Sequence, residues 1–208
     1  MNLYNKYILP KVVHWACNSK PSYRQRLKII PKANGTILEI GIGSGLNLPL
    51  YNSKLVESLV AIDPSNEIWE LNNIDHKTLG FNFEFIQAFA EDIPASKHTF
   101  DTVVITYSLC TIINIELALS EIKRVLKPNG KLLFCEHGIA PDEKTAYWQN
   151  KINPIWKKVG GGCNLNKDIP KLISENGFKI TKLDKMYIPG WKPASFNYWG
   201  VAVPSFEL

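Results

Sequence analysis

Five short apolar runs punctuate the chain after Gly35, and their order limits the fold more than any other feature. TILEI (36–40), SLVAID (58–63), FEFIQA (83–88), DTVVITY (101–107) and KLLFCEH (131–137) are rich in Ile, Val, Leu and Phe and are bounded by turn residues. Near-continuous apolar runs of this kind suit strands buried on both faces of a mostly parallel sheet. Helical patterns lie between them. Across 115–126, Ile115, Leu119, Ile122 and Leu126 recur at helical spacing, and Lys127-Pro128-Asn129-Gly130 stops the pattern. Strands alternating with helices predict a three-layer, doubly wound α/β domain with right-handed crossovers.

The C-terminal third breaks this rhythm. Residues 168–176 read as a helix ended by Gly177, and FKITKLDKM (178–186) and NYWGVAV (197–203) as strands with no helix between them. A direct connection predicts an antiparallel pair at the sheet edge, so the sheet has seven strands and an antiparallel last strand. Residues 1–34 read as a helical cap, with Leu3, Tyr4, Tyr7, Ile8, Val12 and Trp15 near one face and Pro10 dividing it. The whole chain is one domain: cap 1–34, core 35–137, and a final segment 138–208.

At 208 residues, with 45% hydrophobic and 21% charged residues, the chain suits a single ordered globular domain. A net charge of +5 is mild and reads as Lys and Arg scattered over a solvated face. Cys17, Cys110, Cys135 and Cys163 are far apart, with no CxxC spacing, so neither a metal site nor a disulfide framework is indicated. Reduced thiols and a cytoplasmic location follow. No stretch reads as a membrane span, and the polar start with Pro10 does not resemble a signal peptide.

The first strand runs into Gly41, Gly43 and Gly45. A glycine loop at the carboxyl end of an open α/β sheet lets a ligand approach the backbone, and a following helix would favour an anionic group. A dinucleotide loop needs a small residue at position 46, where Leu stands, and a phosphate loop needs a Lys that SGLNLP lacks. Asp63 ends the second strand, where an acid can accept from both ribose hydroxyls. In AEDIP (90–94), Asp92 can take the exocyclic amine of adenine and Ile93 can cover the ring. Either acid alone suits a cap or turn. Together, in order at three strand ends, they describe an adenosine pocket without phosphates.

ILEIGIGSG, VAIDPS, AEDIP, FDTVVITYSLC and RVLKPNGKLL, taken as an ordered set, resemble the motifs of class I S-adenosylmethionine-dependent methyltransferases. The resemblance implies a Rossmann-like methyltransferase fold with S-adenosyl-L-methionine as cofactor. It implies that Gly41, Gly43, Gly45 and Asn47 border the methionine portion and that Glu39 anchors their loop. Asp63, Pro64 and Ser65 would meet the ribose, Glu91, Asp92 and Ile93 the adenine, and Thr106 and Tyr107 would flank the methyl group. Glu136-His137, Trp148-Gln149, Pro154-x-Trp156 and Gly162-Cys163-Asn164-Leu165 are similar to the thiol S-methyltransferases of animals and their bacterial relatives, some of which are phospholipid N-methyltransferases. The animal proteins carry a hydrophobic N-terminal membrane segment that this sequence lacks.

Methyl transfer from a sulfonium is an in-line displacement, so the protein mainly aligns the reactants and excludes water. His137 is the leading base candidate, or else it shapes the pocket through a loop hydrogen bond; Tyr107 is the second. Tyr147, Trp148, Trp156, Trp191, Phe196 and Trp199 offer aromatic material of which about half is expected to line an acceptor pocket. Cys163 reads as a small apolar group, because transfer to a small acceptor needs no enzyme nucleophile. The favoured acceptor is a small-molecule thiol or other soft apolar nucleophile. The alternative is a phospholipid headgroup amine, reached through weak peripheral membrane contact by the cap. No nucleic acid is expected, since TYSLC stands where an Asn-Pro-Pro-Tyr-like site would be and no binding module is appended. A monomer or homodimer is expected.

Overall fold

In the computed structural model, which describes residues 3–205, all seven expected strands form. They are β1 (Gly35–Ile40), β2 (Val56–Asp63), β3 (Asn82–Gln87), β4 (Phe100–Thr106), β5 (Leu126–His137), β6 (Phe178–Tyr187) and β7 (Phe196–Pro204). They lie side by side in the order β3-β2-β1-β4-β5-β7-β6. The first five are parallel, and β7 runs antiparallel to both β5 and β6. The strand order reverses at β1, and its carboxyl end, beside that of β4, is where such sheets bind ligands.

The helices are α1 (Leu9–Cys17), α2 (Lys20–Arg26), α3 (Asn66–Trp69), α4 (Ile115–Val125), α5 (Glu143–Val159) and α6 (Ile169–Glu175). Successive strand residues face opposite layers. Leu38, Ile40, Val103, Ile105, Leu132 and Phe134 pack with α4 and α6, whereas Ile37, Val104, Leu133 and Cys135 pack with Ile29, Ile30, Leu48 and Tyr51. Burial on both sides explains why these runs are apolar throughout. The α4 pattern works as read: Ala118, Leu119, Ile122 and Val125 are buried, and Asn114 caps the helix by accepting from the Leu117 N–H at 3.0 Å. Asp168 caps α6 in the same way, and Gly177 ends it at φ +80°.

Three local expectations are corrected. No α-helix follows the glycine loop; residues 48–50 make one 3-10 turn, and Pro49 there has no N–H to carry a longer helix. The second layer is accordingly built from short helices and loops. Lys127–Gly130 does not separate helix from strand but lies inside β5 as a bulge, with Leu126 opposite Phe100 and Lys131 opposite Thr102. Finally, α5 is a 17-residue helix that periodicity did not indicate, because its buried residues are only Thr145 and Gln149. Polar bonds anchor it: the fully buried Gln149 accepts from the Ala140 N–H and donates to the carbonyls of Gly138, Leu165 and Pro193. The cap divides near Pro10 as expected, into a π-helical turn over Tyr4–Ile8 and then α1. Its apolar face is open: Leu3, Tyr7, Ile8, Val12 and Trp15 are all exposed.

Candidate active site

Gly41, Gly43 and Gly45 all adopt positive φ, at +70°, +56° and +77°. Gly41 also passes so close to the β4 turn that a Cβ there would stand 2.1 Å from Ser108 Oγ. Only glycine meets both demands. The loop is tied down by acids from below. Asp63 accepts from the Gly43 N–H and the Ser65 N–H, each at 2.9 Å, and burial pushes its pKa up while these two bonds pull it down. Glu39, 1% exposed, accepts from Asn47 Nδ2 at 2.7 Å and from the Tyr51 hydroxyl at 2.8 Å. Burial raises its pKa to about 7. Asn47 Nδ2 also donates to Thr106 Oγ1 at 2.9 Å, joining the loop to β4.

Above the loop lies a cavity of about 380 Å³. Gly41, Gly43, Asn47, Asp63, Pro64, Ser65, Glu91, Thr106 and Tyr107 line it, as the sequence implied. Glu39 and Gly45 do not; Glu39 sits beneath the loop and Gly45 turns toward Asn72. Asp92 and Ile93 also fall outside the lining. The chain reverses between Phe89 and Asp92, whose N–H donates to the Phe89 carbonyl, so Phe89 and Glu91 meet the cavity while Asp92 is exposed. Ile93 is buried under the turn, with its N–H on Glu121.

The cap supplies lining that sequence reading missed: Leu9, Pro10, Val13, His14, Cys17 and Arg26. His14 Nδ1 lies 2.6 Å from Ser44 Oγ, which fastens α1 to the glycine loop. Arg26, 5% exposed, donates from Nη1 to the Cys17 carbonyl at 2.6 Å and lies 4.9 Å from the Tyr107 ring centre. No salt bridge to it occurs among the described residues, and its Nε is buried without a partner. Asn47 Oδ1 is likewise buried and unpartnered. In the run KPSYRQRLKII nothing marks Arg26 off from a surface arginine, so the sequence carried no signal for it.

A methyltransferase-domain family model matches residues 38–134. The human thiol S-methyltransferase TMT1A is 30% identical over 177 residues, which cover 83% of this chain and 72% of that protein. The rat thiol S-methyltransferase TMT1B is 31% identical over 166 residues, covering 78% of this chain and 65% of that protein, so the chain spans just under two thirds of its length. The ubiquinone/menaquinone biosynthesis C-methyltransferase UbiE of Rickettsia prowazekii is 33% identical over 170 residues, covering 73% and 67%. The fold matches a crystal structure of a methyltransferase from Aquifex aeolicus with a TM-score of 0.63 at 18% identity, over 94% of this chain and 98% of that one. The chain belongs to the S-adenosylmethionine-dependent methyltransferases.

In this methyltransferase the two base candidates are engaged elsewhere. Tyr107, held at φ +54°, donates its hydroxyl to Asn197 Oδ1 of β7 at 2.7 Å, and burial raises its pKa well above the ordinary value. His137 ends β5 outside the cavity lining, with Nε2 3.2 Å from Cys163 Sγ. Burial opposes charge on His137, but the Cys163 thiol beside it raises its pKa overall. Cys163 is correspondingly lowered, first by the bond from Cys110, whose own pKa is raised well above normal. Glu136, fully buried, accepts from the Ser108 and Leu109 N–H groups at 2.7 and 3.1 Å, and burial raises its pKa to about 7. It braces the β4 turn against β5.

The six aromatics expected to furnish an acceptor pocket are dispersed, and none lines the cavity. Tyr147, Trp148 and Trp191 are about half exposed, Phe196 packs edge-on between Tyr187 and Tyr198, and Trp199 lies on the opposite layer beneath Lys28. Among the described residues no helix is long and apolar enough to cross a membrane.

Proposed function

We propose that this methyltransferase acts on a small-molecule thiol or another soft, apolar nucleophile. Relatives named thiol S-methyltransferases, about 30% identical to this chain, support the reading. The observation that carries it is the cavity's apolar flank, where Leu9, Val13, Ile112 and Ile113 join the lining. The described carboxylates on the lining, Asp63 and Glu91, belong to the nucleoside half.

The residues present fit the cofactor. Asp63 would hold the ribose hydroxyls, Ser65 and Pro64 flank them, and Glu91 and Phe89 would bound the adenine. Asn47 Oδ1 and Arg26 Nε, an acceptor and a donor each buried without a partner, match the ammonium and carboxylate of an amino-acid end. Once bound, the cofactor supplies a sulfonium methyl open to in-line displacement. The chain's own contribution is alignment and dryness: α1 lies over the glycine loop as a lid, and the strained Tyr107 turn shapes the floor. A thiol with a pKa near 8.5 needs little help to ionise. Among the described lining residues His14 carries the imidazole, held by its Nδ1 against Ser44 Oγ.

A panel of thiol, amine and phenol acceptors, read by release of S-adenosylhomocysteine, tests the proposal. Turnover should be confined to, or at least about tenfold faster with, apolar thiols. Turnover of amines alone would overturn it.

A further inference from the structure

Three side chains with soft donor atoms converge just behind the cavity wall. Cys110 lies on the turn after β4, His137 at the end of β5, and Cys163 beyond the glycine turn that follows α5. One donor atom from each lies within 4.8 Å of the other two. We propose that Cys110, His137 and Cys163 form a three-ligand site for a zinc-class divalent cation, with the fourth position open.

The distances and the donor chemistry agree. Zinc takes sulfur at about 2.3 Å and imidazole nitrogen at about 2.0–2.1 Å in a tetrahedron, which sets neighbouring donors roughly 3.5–3.8 Å apart. The cluster is compatible with that spacing: Nε2 and the Cys163 sulfur lie 3.2 Å apart, and every donor pair lies within 4.8 Å. Two thiolates and an imidazole select zinc over magnesium or calcium. The frame that presents them is built without the ion. The Asn164 N–H and Nδ2 both donate to the Cys110 carbonyl at 3.0 Å, clasping the two cysteine segments together. The Cys163 N–H donates to the Gly160 carbonyl at 3.2 Å, and His137 is paired with Asn197 in the sheet.

Two buried nitrogens without partners adjoin the cluster, His137 Nδ1 and Trp156 Nε1. With the cation on Nε2, Nδ1 carries the ring proton. Trp156 Nε1 and Cys163 Cβ lie 3.3 and 3.5 Å from the Cβ position of Gly160, so the indole N–H is placed to support a metal-bound thiolate. Entry of the cation releases the remaining thiol and imidazolium protons to solvent, and no redox change occurs. Thr111, next to Cys110 in the chain, and Gly160 and Gly161, just before Cys163, line the cavity. The metal site does not rest on the thiol reading above.

The test is cobalt(II) titration of the whole chain, reduced and freed of metal by chelation. The expected result is a thiolate-to-cobalt charge-transfer band with intense tetrahedral visible bands, saturating at one cobalt per chain and bleached by zinc. Cys110→Ser and Cys163→Ser should each remove about half of the charge-transfer intensity, while Cys135→Ser should leave it unchanged. Thermal unfolding confirms that each variant is folded. Absence of the band, identical titrations of Cys163→Ser and wild type, or a Cys110–Cys163 disulfide in place of metal would overturn the site. Saturable cobalt binding without any thiol turnover would refute the acceptor reading alone. Thiol turnover in a protein that binds no cobalt would refute the metal site alone.

Discussion

Replacing Glu39 with Gln should change how the stability of the protein depends on pH. Glu39 is fully buried and its pKa is raised from 4.5 to about 7, chiefly by burial. In the unfolded chain it titrates near 4.5, so between these values the native state holds more protons than the unfolded state. Stability therefore falls as pH rises through that window, the reverse of the behaviour of a salt-bridged acid. The full effect of a shift of about 2.5 units is roughly 3 kcal/mol, of which about 2 kcal/mol falls between about pH 5.5 and about pH 8. The substituted amide keeps an acceptor for Asn47 and offers Tyr51 an N–H, at a cost independent of pH. Urea unfolding of both proteins across this range should show the wild type losing about 2 kcal/mol relative to Glu39→Gln as pH rises. Parallel curves, or a wild type that gains relative to the variant, would refute the claim that Glu39 is held against its charge.

Three further outcomes follow from the same geometry. Asp63→Asn turns an amide N–H toward Gly43 or Ser65, and S-adenosylhomocysteine affinity by calorimetry should fall roughly tenfold to a hundredfold. Arg26→Met should abolish the preference for S-adenosylhomocysteine over its analogue lacking the carboxylate, about tenfold or more; an unchanged preference would remove Arg26 from the cofactor site. Removing residues 1–20 takes away α1 and its His14–Ser44 bond, so cofactor affinity should drop severalfold, and equal affinity would end the lid assignment.

The parts legible in sequence were those that depend on local periodicity. The inner strands β1, β4 and β5 showed themselves because they bury both faces and are apolar along most of their length, while the edge strands β3 and β6 showed themselves by β-rich runs between turn residues. The glycine loop and Asp63 were legible because backbone approach and hydrogen bonding constrain residue type directly. What stayed hidden depends on contacts between distant segments. Gln149 holds α5 through four polar bonds, and no apolar stripe announces such a helix. Arg26 meets Tyr107 across the fold, and Cys110, His137 and Cys163 are each solitary in sequence. Of the acids assigned to the adenine, Glu91 meets the cavity and Asp92 does not, because one turn decides which of two adjacent acids faces inward.

The last of the seven described strands, β7, occupies an inner place in the sheet, between β5 and β6. A ribosome that stops before Phe196 would release a product with β6 lacking its partner and Tyr107 lacking Asn197. The floor of the cavity is therefore finished only when a strand 90 positions beyond Tyr107 is in place. Truncated translation products should carry no residual methylation activity, and their bare strand edges mark them for proteolysis.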